Sequence, residues 1–113
     1  VDASNPASAV LKEGEAAQYK LVAIQSGFYP VLERAKGHVG DVWLEAGDVW
    51  KYGYTTNVAG RYSAAELRRV GKGLEMKIEA VGSAPHMLIV EKQSILLYEQ
   101  MFGKLPPGNK VRR

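Results

Sequence analysis

The sequence of 113 residues predicts a single α+β domain in which a small β-sheet is flanked by helices. Short runs of β-branched and aromatic residues bounded by glycine, proline and aspartate are typical of strands, and one such run lies within residues 47–57. Two later segments carry helix signals instead: a capping box after residue 62 and an amphipathic stretch that ends near residue 103. Hydrophobic residues make up 46% and charged residues 24%, which fits one modest globular core.

The first residues predict a connection rather than part of the core. Residues 1–10 are small and polar, which indicates a linker. The apolar residues of Gly14–Ile24 recur at a loosely helical spacing and predict a short helix. We therefore assign residues 1–26 to a linker and an N-terminal helix, and residues 27–113 to the folded domain. Because the chain begins at Val1 rather than methionine, we expect it to be a fragment of a longer protein or a processed product.

The next segment predicts a first strand and a connection to a second. Gly27–Leu32 is the strand, and Pro30 places it at a sheet edge or near a bulge because proline cannot donate to a ladder. Residues 33–40 predict a polar, glycine-containing connection. Residues 42–44 are expected to be extended, and residues 45–48 to form a turn.

The stretch Gly47–Asn57, with the sequence GDVWKYGYTTN, predicts a strand that belongs to a functional site. Strand alternation puts Lys51, Gly53 and Thr55 on one face and the aromatic residues on the other. Gly53 predicts a close approach of backbone or ligand, and a lysine among small residues favours a role beyond packing. The alternative is an ordinary amphipathic strand whose lysine extends into solvent.

The segment after Arg61 carries clear helix signals. Ser63 and Glu66 form a capping box in which each side chain satisfies an orphan backbone amide, and Gly71 supplies the stop. Arg61 is thereby placed just before a helix N-terminus. Residues 74–80 alternate apolar and charged side chains, which predicts a strand with one solvated face.

The last helix is predicted from a Ser83 cap, with Pro85 in its first turn, to a stop at Gly103. Glu91 lies in the middle of its apolar face. A carboxylate there must be paired, protonated or bound to a metal, unless it sits at the margin of the face with its head in water. The predicted face comprises Leu88, Glu91, Ile95, Tyr98 and Phe102.

The net charge of +3 is distributed unevenly. Residues 1–57 carry a balance of −2 and residues 58–113 a balance of +5, so a polyanion is the natural partner for the second half. The alternative is a basic surface that is merely solvated. The candidate nucleic-acid-binding residues are Arg68, Arg69, Lys72, Lys104, Lys110, Arg112 and Arg113.

Composition excludes several classes of site. Without cysteine the chain has no disulfide framework, no thiolate zinc site and no cysteine nucleophile. His38 and His86 are too few and too far apart in sequence to suggest a metal cluster without carboxylates. No apolar run approaches the roughly 20 residues that a membrane span needs, and no signal peptide is visible. We therefore expect no membrane partner.

Taken in order, these residues resemble the GIY-YIG nuclease superfamily, and the resemblance covers about residues 27–110. Its pattern is a first strand with G-x-Y, a second with Y-I-G or K-I-G, an arginine at a helix start, a metal-binding glutamate on a later helix and an asparagine beyond it. The corresponding residues are Gly27-Phe28-Tyr29, Lys51-Tyr52-Gly53, Arg61, Glu91 and Asn109.

More narrowly, the strings GDVWKYG-x-T, RYS, EK-x-x-I-x-x-Y and LPPGNK resemble nuclease toxins at the C-termini of bacterial secreted polymorphic toxins. The chain departs from the superfamily pattern in two places. Lys51 replaces the tyrosine of the second tripeptide, and the connection from Tyr29 to Lys51 is longer than the usual hairpin.

The resemblance implies a small antiparallel β-sheet flanked by helices and a Mg²⁺-dependent endonuclease. Glu91 would hold a single Mg²⁺, and Arg61 would offer a bidentate donor set to the non-bridging phosphoryl oxygens. Tyr29 would orient or deprotonate the attacking water, helped by Lys51, whose charge would lower the pKa of a neighbouring phenol.

The resemblance leaves secondary roles to other residues near Arg61. Tyr62 is the best candidate among the remaining tyrosines, ahead of Tyr52 and Tyr54, and Asn109 would brace the site from the C-terminal loop. For any single tyrosine the alternative is packing with only the hydroxyl exposed.

The narrower resemblance implies a biological setting. The domain would be the toxic part of a secreted or delivered effector that acts on DNA in the cytoplasm of a target bacterium, and a cognate immunity protein would be its partner. RNA is not excluded as the substrate. The alternatives are a restriction-type or repair-type nuclease of the same superfamily and a non-catalytic nucleic-acid-binding module.

Overall fold

The computed structural model describes residues 11–110 and confirms an α+β domain with a small antiparallel sheet flanked by helices. The strands are β1 (Glu15–Ala23), β2 (Gly27–Glu33), β3 (Gly37–Leu44), β4 (Val49–Thr55) and β5 (Leu74–Ser83), and the helices are α1 (Val58–Arg61), α2 (Ala64–Arg69) and α3 (Ala84–Phe102). The main sheet is antiparallel and has three strands in the order β4-β1-β5, while β2 and β3 form a separate antiparallel hairpin.

The predicted N-terminal helix is wrong, because residues 15–23 form the central strand β1. Tyr19 and Leu21 pack into the core on one face, while α3 packs against the same sheet and covers the other. Residues 17–21, with the sequence AQYKL, alternate apolar and polar side chains as a strand does, but apolar residues at both ends of this short run blur the two-residue period. Since β1 pairs with both outer strands, the folded domain includes residues that precede the predicted boundary at residue 27. The predicted linker, residues 1–10, lies outside the described residues.

The predicted first strand is confirmed as β2, and the predicted extended piece and turn before β4 are also confirmed. Pro30 is tolerated because the hairpin has only edge strands, and a bulge follows between Val31 and Leu32. The predicted connection is wrong over residues 37–40, which belong to β3. That part of β3 is exposed and polar, so its extended conformation comes from pairing with β2 rather than from a buried face.

The β4 strand is confirmed, but Trp50 does not take the face predicted for it. The ladder with β1 skips a residue between the pairs Leu21–Lys51 and Val22–Val49, which leaves Trp50 in a bulge. Its ring is buried in the same core cluster as Tyr19. Strand alternation alone therefore misplaces this side chain.

The capping box is present as predicted. Ser63 Oγ accepts from the Glu66 amide at 3.0 Å, and Glu66 Oε1 accepts from the Ser63 amide at 2.9 Å. Gly71 lies just beyond α2 in the left-handed region with φ 54°. Arg61 lies before this helix, as expected, and is also the last residue of the short helix α1, which was not predicted.

The last helix is confirmed from its Ser83 N-cap to its left-handed Gly103 C-cap. Its buried residues are Met87, Glu91 and Ile95, so the predicted face is right for Glu91 and Ile95. It is wrong for Leu88 and Phe102, which are exposed, because a three-stranded sheet covers only a narrow stripe of the helix. Within residues 11–110 no helix combines the length and apolarity needed to cross a bilayer.

Candidate active site

A cavity of about 340 Å³ lies along β4, the outer strand of the main sheet, and gathers most of the predicted catalytic residues. Its lining combines four cationic side chains with a single carboxylate. The described residues that line it are Tyr19, Arg34, Lys51, Tyr52, Gly53, Tyr54, Arg61, Glu91, Gly108, Asn109 and Lys110.

Gly53 allows a tyrosine ring to reach this cavity across the sheet. Tyr19 and Gly53 are direct partners in the antiparallel ladder between β1 and β4. A Cβ atom at residue 53 would collide with the Tyr19 ring and hydroxyl. The close approach predicted for Gly53 is therefore an approach by Tyr19, which also lines the cavity.

Three polar groups form a hydrogen-bonded chain beneath the cavity. Lys51 Nζ donates to the Tyr62 hydroxyl at 3.1 Å, and the hydroxyls of Tyr62 and Tyr19 are 2.8 Å apart. The two rings meet edge to face with centroids 5.8 Å apart. Because an ammonium has no acceptor, Lys51 can only donate, and this fixes one end of the chain.

The pKa of Tyr62 is shifted opposite to the direction expected for a phenol beside Lys51. Burial and the hydrogen bond with Tyr19 raise the pKa of Tyr62 well above its ordinary value, and the charge of Arg61 offsets only part of that rise. Tyr62 therefore keeps its proton at neutral pH. Its chemistry is that of a hydrogen-bonding hydroxyl rather than a base.

Arg61 is exposed and lines the cavity from α1. Its guanidinium carbon lies 4.2 Å from the centroid of the Tyr62 ring, which is close enough for a cation–π contact. This contact orients a planar donor group at the mouth of the cavity. Lys51 lies farther from the same ring centroid, at 5.8 Å.

Glu91 brings the single carboxylate of the cavity from α3 and is only 3% exposed. Residues 11–110 contain no group of three or more His, Cys, Asp or Glu side chains arranged to hold a metal ion. Mg²⁺ is commonly bound through one or two carboxylates together with water and substrate phosphate. The donor set therefore fits a Mg²⁺ ion shared with a phosphate ligand, and does not fit a preformed cage of several carboxylates.

The C-terminal loop is hydrogen-bonded to the outer edge of β4. Asn109 Oδ1 accepts from the Tyr52 amide and its Nδ2 donates to the Tyr52 carbonyl, each at 2.9 Å. The Gly108 amide donates to the Trp50 carbonyl at 2.7 Å. Asn109 thus has the bracing position expected of it, and the loop places Lys110 at the cavity.

Tyr29, predicted to act on the attacking water, lies elsewhere. It is 0% exposed, and its hydroxyl lies 2.8 Å from the Gly73 carbonyl and 2.9 Å from the Gln25 carbonyl. Its ring also packs against Gly71. Tyr29 therefore joins the hairpin to the segment before β5, and Tyr19 is the buried tyrosine that reaches the cavity.

Sequence reasoning missed Tyr19 and Arg34. Tyr19 lies between Gln18 and Lys20 in an alternating stretch of β1, and this alternation is the signal that could have found it. Arg34 lies in the turn between β2 and β3, and a lone arginine in a polar turn carries no signal of its own.

Of the predicted nucleic-acid-binding residues, Lys110 lines the cavity and Arg69 lines an adjoining one of about 370 Å³ that also includes Lys51 and Lys110. These residues extend a basic surface away from the carboxylate. The remaining candidates are not part of it: Arg68, Lys72 and Lys104 are exposed elsewhere, and Arg112 and Arg113 lie outside the described residues.

Comparison of the chain with protein-family models, with curated protein sequences and with solved structures gives no match.

Proposed function

We propose that this domain is a Mg²⁺-dependent endonuclease that cleaves phosphodiester bonds of DNA. The observation that carries the proposal is the cavity along β4, where four cations and a tyrosine hydroxyl surround one buried carboxylate. Phosphodiester cleavage needs neutralisation of the phosphoryl oxygens and a positioned water, with little covalent chemistry from the protein. This set of side chains can supply both requirements.

Arg61 binds the non-bridging oxygens of the scissile phosphate. Its guanidinium offers two parallel N–H donors, which match two oxygens of one phosphoryl group. Stacking on Tyr62 orients that donor plane before the substrate arrives. Lys110 lies in the same cavity, where it can neutralise the same phosphate or its neighbour.

Tyr19 takes the role that the resemblance assigned to Tyr29. Lys51 donates to the Tyr62 hydroxyl, which is hydrogen-bonded to the Tyr19 hydroxyl, and with Tyr62 as the donor of that bond the Tyr19 hydrogen is free to bind a water in the cavity. Successive donors polarise one another, which strengthens the last hydrogen bond of the chain. The raised pKa of Tyr62 holds the proton that this relay requires. Tyr19 thereby orients the attacking water against the phosphate.

Glu91 is the residue that would hold Mg²⁺. When bound, the ion supplies Lewis acidity to the phosphoryl group and to the leaving oxygen. The burial of Glu91 keeps the carboxylate in one position, and Asn109 fixes the β4 backbone opposite it through Tyr52.

The biological setting rests on the sequence resemblance. We propose a secreted or delivered effector that degrades DNA in the cytoplasm of a target bacterium and is neutralised in the producing cell by an immunity protein. Induction of the domain in bacteria should degrade the chromosome. Arrested growth with an intact chromosome would contradict DNA as the target.

The test of the enzyme is plasmid nicking with Mg²⁺ or with EDTA, comparing the wild type with Glu91→Gln and with Glu99→Gln as a control on the same helix. We expect cleavage by the wild type and the control with Mg²⁺, and none by Glu91→Gln. Binding of the plasmid without cleavage by the wild type would instead identify a non-catalytic nucleic-acid-binding module.

The same variant separates a metal ligand from a structural ion-pair partner. A buried carboxylate that serves as a metal ligand destabilises the metal-free fold. Glu91→Gln should therefore leave the Tm in EDTA unchanged or raise it, and the free energy of unfolding should increase by at most on the order of 1 kcal/mol. Breaking a buried ion pair would lower that free energy by several kcal/mol. A Gln variant that is active and destabilised would remove Glu91 from the metal site.

A further inference from the structure

A second cavity, of about 330 Å³, adjoins the first and has a different chemistry. Its walls are mainly apolar and aromatic side chains from β4 and α3. Phe102 is 57% exposed and Met101 is 76% exposed, so the outer wall presents apolar surface to solvent. The lining includes Tyr52, Leu97, Tyr98, Met101 and Phe102.

Tyr52 is shared by the two cavities. Its backbone is held by both polar atoms of the Asn109 side chain, so the wall between the cavities has a fixed position. A ligand that enters both would place an anionic group among the cations of the first and an apolar, planar group in the second. A nucleotide combines these two chemistries in one residue.

The aromatic side chains of the second cavity form a continuous series. The centroids of Tyr52 and Tyr98 are 6.4 Å apart at an angle of 73°, and those of Tyr98 and Phe102 are 4.4 Å apart at 40°. Burial is the main cause that raises the pKa of Tyr52 and of Tyr98, so both hydroxyls remain neutral donors beside the apolar surface. Rings with neutral hydroxyls can stack on a nucleobase and also hydrogen-bond to its polar edge.

The acidic side chain that lines the second cavity is neutralised by its neighbours and does not repel the charge of a nucleotide. Glu79 lines the wall, but its carboxylate is paired with Lys20 at 3.3 Å and accepts from Gln18 Nε2 at 3.0 Å. The local negative charge is therefore compensated.

We infer that the second cavity binds an unpaired nucleobase next to the scissile phosphate, so that the substrate is a single strand or a locally unpaired strand. The inference rests on the proposed function and adds the strandedness of the substrate to it. Continuity through Tyr52 favours a nucleobase over an apolar protein partner. A partner helix would also cover Ile89, which is exposed on α3 but does not line this cavity.

The experiment measures binding in EDTA to a single-stranded oligothymidylate and to an oligonucleotide of the same length and charge that contains abasic positions. The wild type should bind the oligothymidylate about 5- to 150-fold more tightly, the range expected for stacking one base. Phe102→Ala and Phe102→Leu should both lose most of this preference, because both remove the ring face on which a base stacks. The leucine variant keeps the apolar area and so separates stacking from hydrophobic contact. Ile89→Ala, which removes an equally exposed apolar side chain of α3, should keep it.

Three outcomes would overturn the inference: equal affinity of the wild type for both oligonucleotides, no binding of the oligothymidylate, or an equal effect of Ile89→Ala and Phe102→Ala. The last outcome would indicate a protein-docking face. Adding Mg²⁺ then tests the proposed function separately. Base-dependent binding without cleavage would contradict the proposed endonuclease activity and support the nucleobase site. Cleavage of both oligonucleotides at the same rate would support the endonuclease activity and contradict the nucleobase site.

Discussion

Arg61 shows how one side chain is oriented by its neighbour. Its guanidinium lies over the Tyr62 ring, so its donor plane is oriented in the absence of phosphate. Tyr62 in turn is held by Lys51 and by Tyr19. The position of the arginine therefore depends on a ring and a hydrogen-bonded chain, and its charge alone would not reproduce the site.

We expect Arg61→Lys to lower the rate of DNA cleavage by roughly 10²-fold or more, the scale for removing one preorganised donor. Lysine keeps the charge but cannot present two parallel N–H groups to two oxygens. The check is kcat/KM on a plasmid or oligonucleotide, with Arg68→Lys as the control outside the cavity. Near-normal cleavage by the Arg61→Lys variant would exclude Arg61 from phosphate binding.

The raised pKa of Tyr62 predicts a loss of stability at alkaline pH. The tyrosines of the unfolded chain ionise near pH 10, whereas folded Tyr62 keeps its proton above that pH. Above about pH 10 the folded state therefore binds more protons than the unfolded state. The contribution of Tyr62 to the free energy of unfolding is fully present below about pH 10 and is lost as pH rises, by at most about 1.4 kcal/mol per pH unit.

Replacing Tyr62 with phenylalanine should therefore make the decline in unfolding free energy between about pH 10 and 11 shallower than in the wild type. Tyr52 and Tyr98, whose pKa values are also raised, should keep a residual decline. Urea denaturation at several pH values measures this slope. An unchanged slope in the Tyr62→Phe variant would show that Tyr62 ionises alike in both states.

Among the elements, the C-terminal loop has the clearest influence on the site. Gly108 lies against the Trp50 ring, and a Cβ atom there would stand 2.5 Å from ring carbons. The loop would have to withdraw from β4, which breaks the Gly108–Trp50 hydrogen bond and displaces Lys110 from the cavity.

Gly108→Ala should therefore destabilise the fold by about 1–3 kcal/mol, the range for overpacking a filled site, and reduce cleavage as well. Gly40→Ala is the matched control, since a Cβ at that strand position meets nothing within 4 Å. Thermal denaturation and the nicking assay provide the two readouts. If both glycine variants behave alike, the loop does not depend on contact with Trp50.

The β2–β3 hairpin has a different relation to the site, because it reaches the cavity only through Arg34 in its turn. Two hydrogen bonds to backbone carbonyls hold the hairpin on the side of the site: Trp50 Nε1 donates to the Pro30 carbonyl, and the Leu32 amide donates to the Pro107 carbonyl, each at 2.9 Å. These bonds hold the hairpin beside β4 and the C-terminal loop.

At the scale of the whole molecule, the distribution of charge predicts salt-dependent binding. Four cations line the cavity, and each phosphate contact with a single strand lowers the slope of log K against log salt concentration by about 0.7. We expect a slope near −3 for a single-stranded oligonucleotide if all four make contact. An affinity that barely changes between low and physiological salt would contradict a phosphate-binding cavity.

Arg34→Ala should make this slope less negative by about 0.7, corresponding to one lost contact. Lys36→Ala is the matched control, because Lys36 lies in the same turn and does not line the cavity. Equal slopes for the two variants would show that the turn contributes to binding through its net charge and not through a specific contact of Arg34 with phosphate.

The sequence by itself determined those strands, helices and caps that depend on residues close together in the chain. The β4 and β5 strands, the capping box at Ser63 and the long helix carrying Glu91 all follow from short-range patterns, and each is present. The interpretation of Gly53 as a position of close approach was also local and is confirmed. These features depend on residues within a few positions of one another, so one segment contains the whole signal.

Only the tertiary structure decided which residues meet at the cavity. The choice of Tyr19 over Tyr29 depends on β1 becoming the central strand, and the local alternation of residues 17–21 does not specify which strands pair with it. The inward turn of Trp50 depends on a bulge set by pairing with β1, and the arrival of Arg34 depends on how the hairpin packs. Each of these contacts joins segments far apart in the chain, and their free energy comes from packing and pairing that no local pattern encodes.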